Sequence, residues 1–280
     1  MLKRIVLSAA LCIVMGSVSF AAEEIPAFAT EPIAIDGNLD KDVWKKAQKI
    51  PICYEYLTQN AGPSKDATGY YMVAWDAHYL YLAYDWTSPT RPNSGSGGDE
   101  RGPKDNLRRT VLLAWDNKQY DCFEFFVDIN TDDEHFWEIH HNDRNNCADY
   151  FCIRPRSPDD KLRNFMDAPN NPVLWLWSFY IRDDGEYKFK TAVREKITKD
   201  GDKDVYGGYS AELRLPLKGL GADHTKRGKD GYALEDGVLR IFAAEARANK
   251  KPCYFHSMKG VQNGWFHERL NDGQHFIFKK

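Results

Sequence analysis

Short segments along the chain alternate apolar or aromatic residues with polar ones. An alternation with a period of two is typical of β-strands that bury one face. Turn-forming residues separate these segments at close intervals, so the pattern predicts an all-β fold, a jelly-roll-like antiparallel β-sandwich with one or two short helices. Strands are predicted at residues 70–75, 79–86, 110–115, 121–128, 136–141, 148–154, 174–182, 187–193, 208–215, 239–247 and 274–279.

The most regular of these segments form a hairpin predicted over residues 121–143. One face of this hairpin is mainly apolar, and the opposite face carries Glu124, Glu138 and His140 beside aromatic residues. Carboxylates next to a hydrophobic sheet are costly unless they have partners. The polar face is therefore either a solvated, ion-paired surface or the floor of a polar binding site. The mainly apolar face holds Phe123, Phe125, Val127, Trp137, Ile139 and His141.

Two short helical segments are predicted. The first covers residues 40–47, where Asp40 can cap the first turn. Gly37 permits the turn that precedes this helix, and Trp44 is expected to be a core residue that closes the bottom of the sandwich. The second segment is a turn after Pro216. A long loop is predicted over residues 88–106, which are dense in Gly, Pro and Ser.

A secretory signal peptide is predicted over residues 1–21. Lys3 and Arg4 precede an apolar run that ends in small residues, and cleavage is expected before Ala22. The mature chain, residues 22–280, is expected to form a single domain that is exported to the periplasm or out of the cell. It contains no segment whose length and hydrophobicity predict a membrane span.

The charge of the mature chain argues against nucleic-acid binding, and its cysteine count bears on disulfide bonding. Without Lys3 and Arg4, 36 of the 38 basic residues remain against 41 acidic ones, so the basic surface that nucleic-acid binding requires is not indicated. Apart from Cys12 in the signal peptide, an odd number of cysteines remains, which leaves at least one free or intermolecular thiol. Cys147 and Cys152 are close enough in sequence to close a local loop as a disulfide.

The opening of the mature chain, PIAIDGNLDKDVWKKAQKI, resembles the opening segment of carbohydrate-binding module family 9 and its relatives. That segment has an apolar strand, Ile-Asp-Gly, Leu-Asp and a helix with a tryptophan. Residues 73–86, 121–130, 137–143, 206–220, 238–247 and 263–278 resemble later segments of the family in the same order. The matching positions of the opening segment are Ile35, Asp36, Gly37, Leu39, Asp40 and Trp44.

The resemblance implies a sandwich that brings the hairpin next to the closing segment, residues 263–278. It also implies a sugar held between two tryptophan rings. One ring falls on Trp265, whereas the position of the other is Lys118, so Trp115 or Trp86 is the candidate for the second ring. The family's Pro and Phe in the closing segment are Arg269 and Asp272 here.

Sugar sites combine an aromatic ring, on which C–H faces stack, with planar polar groups that bind hydroxyls. We therefore predict non-catalytic binding of a mono- or oligosaccharide, or of glycan chain ends, in support of polysaccharide capture or breakdown. Secreted glycan-degrading enzymes are the expected partners, and no catalytic residue is assigned. The predicted ligand-binding residues are Trp265, Glu124, Glu138, His140, His267 and Trp115.

Two alternatives use the same hairpin. Glu124 and Glu138 could form the carboxylate pair of a glycoside hydrolase, whose separation decides between retaining and inverting chemistry. A haem-binding electron-transfer relative would instead need axial ligands, for which Met72, His140 and His141 are candidates.

A calcium ion is the remaining cofactor candidate. Asp128, Asn130 and Asp132 stand at alternate positions, as at the start of a calcium loop, and some relatives of family 9 bind calcium. The sixth position, where such a loop needs glycine, is Asp133. A solvated acidic turn is therefore the competing interpretation.

Overall fold

The computed structural model describes residues 23–24, 26–29, 31–55, 68–92, 122–128, 135–145, 147–153, 174–177, 189–217, 220, 238–247, 253–257 and 273–277. Strands and one helix occur in this part of the chain. They are β1 (Glu23–Glu24), β2 (Ala27–Phe28), α1 (Asp42–Lys46), β3 (Ile50–Ile52), β4 (Tyr54–Glu55), β5 (Thr68–Trp75), β6 (Tyr79–Thr87), β7 (Cys122–Asp128), β8 (His135–His141), β9 (Cys147–Ile153), β10 (Leu174–Trp177), β11 (Lys190–Asp200), β12 (Lys203–Pro216), β13 (Val238–Arg247), β14 (Cys253–His256) and β15 (Gln274–Ile277).

The described strands form two sheets. The nine-stranded sheet has the order β1-β15-β13-β7-β8-β9-β10, and β14 pairs with both β13 and β4. The six-stranded sheet has the order β11-β12-β6-β5-β2, and β3 also pairs with β5. Two described pairs, β1 with β15 and β2 with β5, are parallel, and the others are antiparallel. The predicted all-β sandwich is confirmed. None of the described residues lies in a helix long and apolar enough to cross a membrane.

The main core lies between the two sheets, and the predicted hairpin supplies a large part of it. Strands β7 and β8 pair antiparallel with Val127 opposite Trp137, which confirms the predicted separation of the two hairpin faces. On the inner face, Phe123 stacks on Tyr84 of the six-stranded sheet with ring centroids 3.9 Å apart. Such an aromatic pair contributes about 0.5–1.5 kcal/mol beyond the burial of its area.

A second apolar cluster lies on the outer face of the six-stranded sheet. Ile33 and Ile35 of the N-terminal segment pack there with Trp44 of α1, against Met72 of β5 and Tyr81 of β6. The Trp44 side chain is almost fully buried, with 1% of its surface exposed. Trp44 is therefore a core residue, as the sequence predicts.

The carboxylate of Glu212 on β12 holds this N-terminal segment in place. One of its oxygens accepts hydrogen bonds from the backbone N–H groups of Asp36 and Gly37, at 2.9 and 2.8 Å. The other accepts a bond of 2.6 Å from Trp44 Nε1, and the ammonium group of Lys41 lies 2.5 Å from it. Gly37 has a φ of +78°, and an added Cβ would lie 2.8 Å from a backbone carbon of β11, so glycine is required there.

The prediction that Asp40 caps the helix is wrong. Helix α1 begins at Asp42, and its N-cap residue is Lys41, which makes no side-chain capping bond. The physical reason is that residues 36–41 are fixed by their bonds to Glu212, which leaves Asp40 one position too early to cap. The turn predicted after Pro216 is present as a bond of 3.0 Å from the N–H of Leu220 to the carbonyl of Pro216.

The predicted disulfide between Cys147 and Cys152 is also wrong. Both residues lie on β9, and an odd separation along a strand directs their side chains to opposite faces of the sheet. Cys147 packs in the main core, whereas Cys152 lies beside Glu138 on the outer face. Cys122 and Cys152 are free thiols. The strand predicted at residues 110–115 lies outside the described residues.

His141 lies on the inner face of β8 and is buried. Its Nδ1 is 2.9 Å from the hydroxyl of Tyr84, and its Nε2 is 3.0 Å from Oδ1 of Asn145. Since an amide oxygen only accepts, these partners assign the proton to Nε2 and let Nδ1 accept from Tyr84. Burial lowers the pKa of His141 to about 4 and outweighs the bond to Asn145. The ring is therefore neutral at neutral pH.

We expect His141 to make the fold sensitive to acid. Between pH 6.5 and about 4, the unfolded chain binds a proton at this ring that the folded chain does not. The free energy of unfolding therefore falls as the pH falls, by about 3 kcal/mol across the window. Urea denaturation at both ends of the window should show a smaller loss for His141→Gln than for the wild type. Equal losses would contradict a buried neutral ring.

Trp44 offers a test of the second apolar cluster. Trp44→Ala should lower the free energy of unfolding by about 3–5 kcal/mol, the usual cost of deleting a buried aromatic side chain. Trp44→Phe keeps most of the buried ring but removes the donor to Glu212, so a smaller loss of about 1–3 kcal/mol is expected. Denaturant unfolding measures both values. A Trp44→Ala variant of unchanged stability would show that the ring is not part of the core.

Candidate functional site

Glu124, Glu138 and His140 converge on the outer face of the nine-stranded sheet. Glu124 on β7 stands directly opposite His140 on β8, and Glu138 is on the same face of β8. The exposed fractions of the three side chains are 14% for Glu124, 5% for Glu138 and 8% for His140. This face is therefore not the solvated surface that the sequence left open as an alternative.

Two cysteines complete the group. We use the term polar cluster for Cys122, Glu124, Glu138, His140 and Cys152. The Sγ of Cys122 is 3.6 Å from Glu124 Oε1 and 4.0 Å from His140 Nδ1. On the other side of the imidazole ring, His140 Nε2 is 2.7 Å from Glu138 Oε1, and Glu138 Oε2 is 3.7 Å from the Sγ of Cys152.

The carboxylates of the polar cluster determine the charge of His140. Burial by itself lowers the pKa of this residue, but the charge of Glu124, the neighbouring Cys122 and the hydrogen bond to Glu138 together outweigh it. The pKa of His140 is consequently raised well above its usual value. In the absence of other ligands, the ring is an imidazolium whose Nε2 faces both carboxylates, 2.7 Å from Glu138 Oε1 and 4.0 Å from Glu124 Oε1.

The pKa values of the two thiols of the polar cluster are raised as well, but a raised pKa keeps a thiol uncharged. Burial, followed by the charge of Glu124, raises the pKa of Cys122 to about 12. Burial and the neighbouring Glu138 raise the pKa of Cys152 as well. Both residues are therefore uncharged thiols at neutral pH, and neither has the lowered pKa of a reactive cysteine.

The position of His140 bears on the glycoside hydrolase alternative. In such enzymes the scissile bond lies between the two carboxyl groups. In this protein Nε2 of His140 faces both carboxylates, 2.7 Å from Glu138 Oε1 and 4.0 Å from Glu124 Oε1, so the imidazole takes up space that a scissile bond would need. The geometry does not favour a catalytic carboxylate pair.

The haem ligands suggested by the sequence do not meet at one site. His140 and His141 project from opposite faces of β8. Met72 packs in the cluster on the outer face of the six-stranded sheet, on the far side of the sandwich. Trp86 is also excluded as the second sugar-binding ring, because its side chain is fully buried in the main core.

The remaining predicted site residues are only partly described. Asp128 is buried at the end of β7, but Asn130 and Asp132 lie outside the described residues, so the calcium loop stays a prediction. Trp265, His267 and Trp115 also lie outside them. Cys122 and Cys152 are the members of the polar cluster that the sequence reasoning missed. The signal that could have found them is their position in the strand alternation. Cys122 precedes Glu124 by two residues on β7, and Cys152 on β9 pairs with Phe136 of β8.

The fold and the polar cluster define an all-β sandwich with a buried ionisable site on the outer face of its larger sheet. Residues 35–146 match the family described as carbohydrate family 9 binding domain-like. This match confirms the resemblance recognised in the sequence. No match is found among curated proteins.

Two solved structures are similar to the whole sandwich. One is a carbohydrate-binding module of family 9 from Caldicellulosiruptor kristjanssonii in complex with glucose. It aligns at 14% identity with a TM-score of 0.50, over 92% of this chain and 96% of its own. The other, a candidate carbohydrate-binding protein from Bacteroides uniformis, aligns at 11% identity with a TM-score of 0.55, over 92% of this chain and 98% of its own. At these identities the likeness shows the fold.

Proposed function

We propose that this protein is a non-catalytic carbohydrate-binding module that binds a mono- or oligosaccharide. The observation that carries the proposal is the match of residues 35–146 to the family 9-like binding domain. The glucose complex of the similar module from Caldicellulosiruptor kristjanssonii supports a saccharide as the ligand. The position of His140 Nε2 next to both carboxylates of the polar cluster favours binding over glycoside hydrolysis.

Trp265 is the proposed stacking platform, and Trp115 and His267 are the proposed additional contacts. From the hairpin, Glu124 has the largest exposed fraction, 14%, among the three predicted ligand-binding residues. A carboxylate binds sugar hydroxyls strongly because its hydrogen bonds are charge-assisted. We therefore assign direct contact to Glu124, whereas Glu138 and His140 hold the floor of the site in position.

The cellular setting is part of the same proposal. The predicted signal peptide, residues 1–21, would export the module to the periplasm or the cell exterior. There it would hold polysaccharide, or fragments of it, close to secreted glycan-degrading enzymes. Its mild acidity is compatible with uncharged glycans as ligands.

Calorimetric titration of the mature chain tests the proposal directly. Glucose and a panel of glucose-, xylose- and mannose-based oligosaccharides serve as ligands. We expect saturable binding of at least one saccharide and no hydrolysis product in chromatography of the mixtures. Release of reducing ends by the purified protein, or no binding across the panel, would contradict the proposal.

Replacing Trp265 separates binding from folding. Trp265→Ala should weaken the binding of a confirmed saccharide by roughly 1–3 kcal/mol, on the scale of aromatic stacking at binding sites. Its melting temperature should stay within a few degrees of the wild type, since surface substitutions change stability by about 0.5 kcal/mol or less.

Tyr70→Ala is the matched control. Tyr70 is half-buried in the six-stranded sheet, where the ammonium of Lys49 lies 4.5 Å from its ring centroid. Its removal should leave the affinity for the saccharide unchanged. If Trp265→Ala unfolds the protein, or if both variants bind as the wild type does, Trp265 is not the platform.

A further inference from the structure

Three potential metal ligands of different chemical type meet in the polar cluster. One ligand atom each from Cys122, Glu124 and His140 lies within 4.8 Å of both others. We propose that these three residues bind a divalent transition-metal ion of the zinc class, with Glu138 holding His140 in position. The site shares Glu124 with the proposed sugar contact, which would use the second carboxylate oxygen, but metal binding requires no sugar. The site is separate from the predicted calcium loop.

The distances suit a tetrahedral ion. Zinc binds sulfur at about 2.3 Å and nitrogen or oxygen at about 2.0–2.2 Å, which puts two ligand atoms about 3.6 Å apart. Cys122 Sγ is 3.6 Å from Glu124 Oε1 and 4.0 Å from His140 Nδ1. Glu124 Oε1 lies 4.0 Å from His140 Nε2, so a rotation of the Glu124 carboxylate toward Nδ1 would complete the site. Glu124 and His140 are fixed opposite each other by the pairing of β7 with β8.

Glu138 supplies the support that metal-binding histidines usually have. Such a histidine donates its second ring N–H to a carboxylate or a carbonyl, which fixes the tautomer and the orientation of the ring. His140 directs Nδ1 toward Cys122, while Nε2 is 2.7 Å from Glu138 Oε1. The second oxygen of Glu138 is 3.7 Å from Cys152 Sγ, which holds the carboxylate in turn.

The charges also favour a cation over a nucleophilic cysteine. Cys122, His140 and Glu138 are also the groups that a cysteine nucleophile needs, namely a thiol, a histidine base and a carboxylate that orients the base. In this protein a second carboxylate, Glu124, lies 3.6 Å from the Cys122 sulfur and disfavours the thiolate. A divalent cation reverses this effect, because thiolate and carboxylate together balance its two charges. Binding releases the thiol proton and the proton of His140 Nδ1 to solvent.

The test uses the full mature chain without added sugar. After removal of metals with a chelator, the protein is titrated with Zn²⁺ against a chromophoric competitor, and retained zinc is measured by mass spectrometry. We expect one equivalent of Zn²⁺ per chain and a higher melting temperature with the ion. Co²⁺ should give the sulfur-to-metal charge-transfer band and the intense visible bands of a tetrahedral thiolate site. This spectrum needs no variant and thus no assumption about folding.

Variants then assign the ligands. Cys122→Ser and His140→Gln should each weaken zinc binding by roughly 100-fold or more, and Cys122→Ser should abolish the charge-transfer band. Glu138→Gln should weaken binding by about 10–100-fold, the usual effect of losing a group that orients a ligand, and leave the band in place. Cys53→Ser is the control, because Cys53 is a half-buried cysteine outside the polar cluster. It should bind zinc as the wild type does.

Several results would overturn the proposal. Failure of the unmodified chain to retain zinc or to show the cobalt band is one, and equal zinc affinity in the wild type and Cys122→Ser is another. Rapid alkylation of Cys122 by iodoacetamide in the metal-free protein at neutral pH would identify a nucleophile instead. Sugar binding that persists in chelator leaves the proposed function intact whichever way these results fall.

Discussion

One buried carboxylate, that of Glu212, joins the N-terminal segment to the sandwich. It has no exposed surface, and a charge in that position is stable only when hydrogen bonds and a counter-ion replace water. The backbone of Asp36 and Gly37, the ring of Trp44 and the ammonium of Lys41 provide them. Because these groups belong to one short stretch, the same bonds fix the turn, the helix and the buried tryptophan together.

The outer faces of the two sheets have different roles. The N-terminal segment covers the outer face of the six-stranded sheet with apolar side chains, and that face is structural. The outer face of the nine-stranded sheet holds the polar cluster, in which buried ionisable groups are partners of one another. The contact between Glu138 and His140 offsets part of the cost of burying them. Such a constraint fixes side chains in one geometry, which is what a binding site needs.

Local pattern predicts the faces of the strands but not what lies against them. The two faces of the hairpin follow from alternation, because side chains of a strand alternate whatever surrounds them. Burial of the polar face does not follow, since it depends on segments distant in the sequence. Cys122 and Cys152 are overlooked for that reason, because a cysteine in an apolar alternation resembles an ordinary core residue. Asp40 fails as a cap because Glu212, far along the chain, fixes the preceding turn.

The most direct test uses X-ray diffraction from crystals grown with zinc and glucose, measured on both sides of the zinc absorption edge. It shows whether Cys122, Glu124 and His140 bind a metal ion while the sugar lies at Trp265. We expect one anomalous peak about 2.0–2.3 Å from Cys122 Sγ, His140 Nδ1 and one Glu124 oxygen, with sugar density beside Trp265 that comes no closer to these three residues than the second Glu124 oxygen. Sugar hydroxyls in place of the ion, or a zinc peak elsewhere with none at Cys122, Glu124 and His140, would contradict the assignment of these residues to a metal.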